Sequence, residues 1–173
     1  MALLGVLALL GAVGCTPHGG SAGGAAAALP VGNHPLSGSP APDFSLVSRQ
    51  GAAAQPGAHG GHVVLIDFWA TWCEPCRLSF PEYQSLLAKY GDSVVVMGVS
   101  EDDEAAGIDR FAEETGVRFP IAWDSDKSVA QRYQIKSMPT LFIIDKGGLI
   151  RFVHQGFRPG DGDQIAASID SLL

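Results

Sequence analysis

A buried strand that runs directly into two cysteines constrains the fold of this chain more than any other feature. Residues 63–69 read Val-Val-Leu-Ile-Asp-Phe-Trp and are apolar at both alternating sets of positions, which predicts a central strand covered by helices on both faces. Cys73 and Cys76 follow, spaced C-x-x-C, and apolar residues then recur at helical spacing from Glu74 to Tyr90. The chain therefore predicts an α/β protein that carries two thiols at the first turn of a helix.

The rest of the domain continues this alternation of strands and helices. Short apolar runs alternate with amphipathic stretches from Ala41 to Leu173, which predicts one α/β domain with a central mixed β-sheet flanked by helices. A hairpin is expected before Val63, and an extra helix and strand over residues 101–123. The acidic residues 101–104 are interpreted as a solvated helix N-terminus, because acidic side chains complement the helix dipole there.

The first 40 residues are predicted to lie outside this domain. Residues 1–14 are almost wholly apolar and are typical of a lipoprotein-type signal peptide, too short for a bilayer span of roughly 20 helical residues. The string Ala-Val-Gly-Cys at 12–15 resembles a bacterial lipobox and makes Cys15 the predicted lipidation site, although leucine is usual where Ala12 stands. An ordinary cleaved signal that happens to hold a cysteine is the alternative. Residues 15–40, rich in Gly, Ala and Pro, are predicted to form a flexible tether.

Composition and charge exclude several classes of protein. With 11 Lys and Arg against 18 Asp and Glu, the net charge is −7, which argues against nucleic-acid binding. An apolar fraction of 46% and a charged fraction of 17% predict a packed core. Three cysteines are too few for a disulfide scaffold. Zinc requires four ligands and Cys15 lies in the tether, so neither a metal nor another cofactor is expected.

The position of the two thiols predicts how they divide the chemistry. Unsatisfied N–H groups and the positive end of the dipole stabilise a thiolate at a helix N-terminus, so Cys73 is expected to be the nucleophile. Cys76, one turn further in, can then attack the mixed disulfide that Cys73 forms with a substrate. Pro75 suits a first helical turn, which has no backbone N–H bond to lose. Glu74 lies between the thiols and should disfavour the thiolate, which favours reducing over oxidising work.

Two further features fit a redox site. Asp67 lies in the buried strand just before the thiols, where its pKa should rise because little water surrounds it. It is a candidate acceptor for the proton of Cys76, and a hydrogen-bonded structural aspartate is the alternative. Met138 and Pro139 precede a predicted strand at 141–145, where a proline cannot donate to the ladder and is an edge residue or a cis-proline turn.

The string Asp-Phe-Trp-Ala-Thr-Trp-Cys-Glu-Pro-Cys at 67–76, with Met-Pro-Thr at 138–140, resembles the thioredoxin superfamily. The resemblance covers residues 41–173 and implies a thioredoxin-like fold. It also implies that Pro139 is cis and faces the dithiol, and that Asp67 corresponds to the buried acid of thioredoxin. The substrate-binding positions assigned with it are Trp72, Glu74, Pro75, Met138 and Pro139.

Within that superfamily the chain is similar to the TlpA/ResA/CcmG-like envelope proteins, which share the export signal, the hairpin and the extra helix and strand. The resemblance implies a thiol–disulfide oxidoreductase on the periplasmic side of a bacterial envelope, held to the membrane by lipid. Its expected partners are disulfide-bearing envelope proteins, apocytochrome c thiols among them, and a membrane thiol–electron donor. Many members carry a glutamate three residues after the second cysteine, where this chain has Ser79, so the acid–base duty would fall on Asp67.

Three other functions are alternatives to this one. Peroxiredoxins share the opening Ala-Pro-Asp-Phe at 41–44, but their Pro-x-x-x-Thr-x-x-Cys loop is missing, because Ile66 and Ala70 stand at its first two fixed positions. Peroxidase activity is therefore not expected. A DsbA-like thiol oxidase would use the same dithiol with the opposite redox poise and is the rival within the class. A copper chaperone on this fold resembles C-x-x-x-C with a distal histidine, so the C-x-x-C spacing disfavours it.

Overall fold

The computed structural model describes residues 27–29 and 34–173. Two elements have the bounds that the sequence predicts, the central strand and the helix that follows the cysteines. The strands are β1 (Leu46–Val47), β2 (Ala53–Ala54), β3 (Val63–Trp69), β4 (Val94–Ser100), β5 (Ile121–Trp123), β6 (Thr140–Ile144) and β7 (Ile150–Gln155). The α-helices are α1 (Glu74–Tyr90), α2 (Ile108–Thr115), α3 (Ser128–Tyr133) and α4 (Asp161–Asp170), and short 3-10 helices lie at Pro56–His59 and Gly91–Ser93.

A five-stranded mixed sheet forms the centre of the domain, in the order β5-β4-β3-β6-β7. β4 pairs in parallel with both β3 and β5, while β6 runs antiparallel to β3 and β7. The short strands β1 and β2 form the predicted hairpin, and α2 with β5 forms the predicted extra unit at one edge of the sheet. The mixed sheet with its helices confirms the predicted thioredoxin-like fold.

β3 is buried along its whole length because its two faces pack against different halves of the core. Trp69 faces one half, where its ring lies 4.4 Å from that of Phe111 on α2 and 4.7 Å from that of Phe80 on α1. Phe68 faces the other half, where its ring lies 5.0 Å from that of Tyr133 on α3. Each fully buried side chain of this size contributes about 1.5–3 kcal/mol. A slip of one residue would exchange the two faces, so the register of β3 is tightly specified.

The expectation that residues 101–104 begin a helix at a solvated end is wrong. α2 starts only at Ile108, and Asp102 is buried, with 5% of its surface exposed. The Asp102 carboxylate accepts hydrogen bonds from the N–H of Thr71 at 3.0 Å, from Thr71 Oγ1 at 2.6 Å and from Ser100 Oγ at 2.8 Å. It therefore ties the segment after β4 to the turn that leads into the two cysteines.

The end of the predicted tether, residues 15–40, belongs to the domain. The N–H of Gly38 donates to the carbonyl of Ile150 on β7 at 2.8 Å, and Pro40 forms an isolated β-bridge with Leu149. These backbone hydrogen bonds hold the segment in place on β7, whereas a flexible tether would lack such bonds. The structure therefore corrects the predicted boundary at residue 40: the folded part includes 34–40.

The remaining calls on the N-terminal segment lie outside the described residues. These are the signal peptide at 1–14 and the lipidation site at Cys15. Closer to the domain, Leu29 is buried, and its N–H donates to Ser168 Oγ at 2.8 Å. Among the described residues, no helix has both the length and the apolar character that crossing a membrane requires.

The hydrogen bonds of Asp102 yield a prediction. Asp102→Ala leaves the buried donors around it unpaired, so we expect the free energy of unfolding to fall by about 1–3 kcal/mol. Urea denaturation of the oxidised protein measures the change. The exposed neighbour provides the matched control, since Asp103→Ala should alter stability by less than about 0.5 kcal/mol. Equal effects for the two variants would contradict the role given to Asp102.

Candidate active site

The two cysteines form a disulfide at the start of α1. The sulfur atoms of Cys73 and Cys76 are bonded, and their Cα atoms lie 5.3 Å apart. Cys73 is the N-cap of α1, in an extended conformation, and Cys76 lies within the first turn. Cys73 is 4% exposed and Cys76 is fully buried, so the first cysteine is the one that a substrate can reach.

A tight turn after β3 sets the position of Cys73. The N–H of Cys73 donates to the carbonyl of Ala70 at 3.1 Å, and the N–H of Cys76 donates to the carbonyl of Cys73 at 3.1 Å. Thr71, in the same turn, is held from the other side by Asp102. Cys73 is therefore held at the N-terminus of α1, where the positive end of the helix dipole stabilises a thiolate once the disulfide is reduced.

Asp67 lies in the middle of β3, between Gly98 of β4 and Leu141 of β6, and is fully buried. The hydroxyl of Tyr83 on α1 donates to Asp67 Oδ1 at 3.2 Å. Burial raises the pKa of Asp67 well above its usual range, and the hydrogen bond from Tyr83 lowers it only in part. The raised pKa agrees with the expectation from the sequence, and it makes the protonated form of this carboxyl accessible in a pH range where an ordinary aspartate is ionised.

Ser79 occupies the place of the glutamate that many similar proteins carry. Its side chain is buried, and its hydroxyl donates to the carbonyl of Cys76 at 3.2 Å. Burial raises the pKa of Tyr83, the partner of Asp67, and the nearby Ser79 hydroxyl opposes that rise. A serine hydroxyl does not titrate in the pH range of thiol chemistry, so Ser79 cannot replace that glutamate as an acid or base, and Asp67 stays the candidate for that role.

The peptide bond between Met138 and Pro139 is cis, as the resemblance implies. β6 begins directly after it and pairs with β3 so that Thr140 lies opposite Phe68. Pro139 therefore lies at the end of the sheet where β3 leads into the cysteines. Pro139 is buried and its carbonyl accepts a hydrogen bond from the N–H of Gly156 at 2.8 Å, while Met138 is half-buried.

The other predicted substrate-binding residues form the exposed rim of the site. Trp72 is 70% exposed, and Glu74 and Pro75 are exposed beside it. Among the described residues, no hydrogen bond or ion pair joins Glu74 to either cysteine, so its expected effect on the Cys73 thiolate stays a prediction. An exposed tryptophan next to the reactive disulfide offers a large apolar contact to a protein partner.

Sequence reasoning missed the groove beside Trp72. The groove has a volume of about 370 Å³, and Arg77, Arg110 and Phe111 line it with Trp72. The guanidinium of Arg77 lies 4.7 Å from the centre of the Phe111 ring and forms an ion pair with Glu114 at 2.9 Å. The helical spacing of α1 places Arg77 away from the core, but its contacts come from α2, which no local pattern connects to it.

Glu101 is the second residue that sequence reasoning missed. It was predicted to lie at a solvated helix end, yet it is half-buried and lines a cavity of about 230 Å³ together with Met138. Burial is the main cause that raises its pKa to about 8. The sequence feature that could have identified Glu101 is its position directly after a buried strand, because α/β proteins bind ligands at the carboxyl ends of parallel strands.

Thioredoxin-fold thiol–disulfide oxidoreductases are the class that this fold and its disulfide define. Residues 37–153 match the AhpC/TSA family, and the chain belongs to that family. The chain lacks the nucleophile loop of the peroxiredoxins, because Ile66 and Ala70 stand in place of the proline and threonine of that loop.

Known proteins of this class resemble the chain over most of the domain. The thioredoxin-like protein YneN of Bacillus subtilis is 36% identical over 122 residues, which cover 69% of this chain and 71% of that protein. The thiol-disulfide oxidoreductase ResA of Geobacillus kaustophilus is 33% identical over 120 residues, 69% of each chain. A crystal structure from Chlorobium tepidum, assigned to the thiol:disulfide interchange protein DsbE, has a TM-score of 0.74 at 35% identity and covers 78% of this chain and 96% of that one. The chain is accordingly a thioredoxin-like thiol–disulfide oxidoreductase that acts on disulfide-bearing partners.

The buried Asp67 carboxyl predicts a characteristic pH dependence of stability. Its pKa is higher in the folded than in the unfolded chain, so the folded protein loses stability as the pH rises from the ordinary aspartate range through the raised pKa. Asp67→Asn keeps an acceptor for Tyr83 and removes the titration. The variant should therefore gain stability over the wild type as the pH rises, with little difference at about pH 4.

Urea denaturation of the oxidised proteins across this pH range measures the difference. The exposed Asp92 supplies the control, since Asp92→Asn should follow the wild type at every pH. A constant difference between Asp67→Asn and the wild type would mean that folding does not change the pKa of Asp67.

Proposed function

We propose that this protein reduces disulfide bonds in proteins of the bacterial envelope, with Cys73 as the nucleophile and Cys76 as the resolving cysteine. The observation that carries the proposal is the Cys73–Cys76 disulfide at the N-terminus of α1, reached from a strand that buries the Asp67 carboxyl. Its relatives named as thiol-disulfide oxidoreductases support the same chemistry. The disulfide form seen in the structure is the form in which the protein would be left after it has reduced a substrate.

The reaction starts from a thiolate at Cys73 and a thiol at Cys76. The Cys73 sulfur attacks one sulfur of the substrate disulfide and forms a mixed disulfide, and the other substrate sulfur leaves as a thiolate and takes a proton from water. Cys76 then transfers its proton to Asp67 and attacks the Cys73 sulfur, which releases the second substrate thiolate. The substrate gains two electrons and two protons, one proton from water and one from Cys76 by way of Asp67. The protein keeps the Cys73–Cys76 disulfide.

The environment of Asp67 suits the second step. A base is most effective when its pKa approaches that of the group it deprotonates, and burial shifts the Asp67 pKa upward in that direction. Tyr83 donates to Oδ1 only, and among the described residues Asp67 Oδ2 has no hydrogen-bond partner. That oxygen is therefore the one free to take up a proton.

Protein substrates dock on both the exposed rim and the cis-proline segment. Trp72, Glu74 and Pro75 offer an exposed surface beside Cys73, and Met138 and Pro139 lie at the same end of the sheet. Cysteine pairs of apocytochrome c are the substrate that the resemblance to the TlpA/ResA/CcmG-like proteins favours. The substrate is then the oxidised form of each cysteine pair, and the product is the same pair as two thiols.

The envelope location rests on the sequence. Residues 1–14 have the apolar character of an export signal, and Cys15 is the residue that a lipoprotein-type signal would leave for attachment of lipid. The residues between Cys15 and the domain give the catalytic part reach from the membrane. Because an oxidising compartment cannot restore the dithiol after each turnover, this location implies a thiol–electron donor in the membrane.

A trapping experiment tests this function. In Cys76→Ser the resolving thiol is absent, so the mixed disulfide on Cys73 cannot be released and substrates should accumulate as covalent adducts. Purification from envelope extracts, with thiols blocked, followed by non-reducing electrophoresis and mass spectrometry identifies them. Recovery of apocytochrome c would establish the substrate class.

The control is Cys73→Ser, which leaves Cys76 as the remaining thiol of the pair. Because Cys76 is fully buried, this variant should trap at least about tenfold less protein, in keeping with the access that thiol exchange requires. Equal trapping by the two variants, or no adduct on Cys73, would contradict the assignment of the nucleophile.

A further inference from the structure

Two carboxyl groups that the reaction above does not use lie face to face at the carboxyl end of the sheet. β4 and β5 run in parallel with Ser100 paired to Trp123, so Glu101 and Asp124 are the next residues along each strand. The N–H of Asp124 donates to the carbonyl of Ser100 at 3.0 Å, which continues the pairing to this point. Residues at the same register position of neighbouring parallel strands place their side chains on the same face of the sheet, so the two carboxyl groups lie side by side.

One oxygen of each group is left without a donor. Within residues 27–29 and 34–173, neither Glu101 Oε1 nor Asp124 Oδ1 receives a hydrogen bond, and both atoms are buried. Burial of an unpaired oxygen is costly, and two facing carboxylates also repel each other. A single proton between the groups removes both penalties, because the protonated carboxyl then donates to the ionised one.

The charges around Glu101 favour retention of that proton. Burial is the main cause that raises the pKa of Glu101 to about 8, and the negative charges of Asp124 and Asp102 add to it. Lys127, before α3, lowers the pKa, and its ammonium group donates to the carbonyl of Asp102. Lys136 lines the same cavity as Glu101 from the loop after α3.

Asp124 also holds the helix that precedes the cis-proline. Its second oxygen, Oδ2, accepts hydrogen bonds from the N–H groups of Val129 and Ala130, both at 2.9 Å, and so caps α3. Ala130 in turn accepts a hydrogen bond from the N–H of Ile135 at 3.1 Å, at the start of the loop that leads to Met138.

The backbone at both ends of α3 is under constraint. Lys127 has a φ of 60° and Gln134 a φ of 55°, a left-handed conformation that residues other than glycine rarely adopt. Such residues persist where the surrounding structure enforces them, often at segments that serve a site. α3 is therefore held in a defined position between the carboxyl pair and the loop, and Glu101, Ala130 and Met138 line one cavity there.

We propose that Glu101 and Asp124 share one proton, and that this shared proton positions the Met138–Pro139 loop to receive a protein substrate. The proposal rests on the function proposed above, of which docking at this loop is a part. Loss of the proton leaves two carboxylates side by side, and their repulsion displaces α3 and the loop after it from β4. Glu101 is then a positioning residue that acts through Asp124 and α3.

Nuclear magnetic resonance of the oxidised full chain, in which neither Cys73 nor Cys76 titrates, tests the coupling without a substrate. Carbon-13 labels on glutamate carboxyls and methionine methyls are followed from about pH 5 to about pH 10. We expect Glu101 to titrate at about pH 8 and the methyl signal of Met138 to follow with the same midpoint. The methyl signal of Met97, which is buried in the other half of the core, serves as the internal control.

Two variants separate the carboxyl pair from general effects of charge. Glu101→Gln keeps a donor for Asp124 and cannot titrate, so the Met138 transition near pH 8 should disappear while the loop stays in its low-pH position. The exposed Glu104 provides the matched control, and Glu104→Gln should retain the transition. An ordinary titration of Glu101 at about pH 4.3 overturns the shared proton, and a Met138 signal that does not follow Glu101 overturns the coupling.

Kinetics supply the functional readout. The rise in KM for a protein disulfide between about pH 7 and about pH 9 should be about 2- to 30-fold larger in the wild type than in Glu101→Gln, the range expected for a residue that acts through its neighbours. The change in kcat should be the same in both, because ionisation of Cys73 is common to them. Equal KM profiles overturn the docking role. A wild type that reduces no protein disulfide contradicts the proposed function alone, and the resonance titration still decides whether the proton positions the loop.

Discussion

The turn from β3 into α1 is the constraint on which the rest of the site depends. β3 is paired on both edges, with β4 and β6, and buried on both faces, so its end point is fixed. The hydrogen bond from Cys73 to Ala70 and those from Thr71 to Asp102 then fix the turn itself. These contacts hold Cys73 at the helix N-terminus, where the helix dipole acts on its sulfur.

Buried carboxyls give this end of the sheet its acid–base character, and burial is the main cause that raises the pKa of both Asp67 and Glu101. Asp67 is shielded from water by the core on both sides, and its protein partner is the neutral hydroxyl of Tyr83. Glu101 is less buried but faces a second carboxyl, that of Asp124. At Glu101 the like charge of Asp124 therefore adds to the effect of burial, a contribution that Asp67 lacks.

The sequence predicted the elements whose signals are local. The doubly apolar strand at 63–69, the helix at 74–90 and the cis-proline before β6 each follow from a short stretch of residues or from a motif. Such signals also placed the two cysteines and Asp67, since all three belong to one continuous strand–turn–helix segment.

What the sequence did not reveal depends on contacts between distant segments. Asp102 resembles its exposed neighbours in the acidic run, and only the folded chain brings Thr71 to it. Glu101 has a high pKa first because it is buried and second because of the charge of Asp124, which the parallel pairing of β4 and β5 brings to its side. Residues 34–40 look like a tether by composition, yet their backbone finds partners on β7 and the turn before it. The structural role of an acidic run or a Gly-rich stretch therefore depends on strand register and burial, which local sequence does not specify.

The reduction potential of the Cys73–Cys76 pair tests the reductase assignment most directly. Equilibration of the purified protein with thiol–disulfide buffers of known potential, followed by counting the free thiols by mass spectrometry, measures it without knowledge of the substrate or the electron donor. A reductase is expected to have a potential near that of thioredoxin, about −270 mV. A value near that of the oxidase DsbA, about −120 mV, would contradict it.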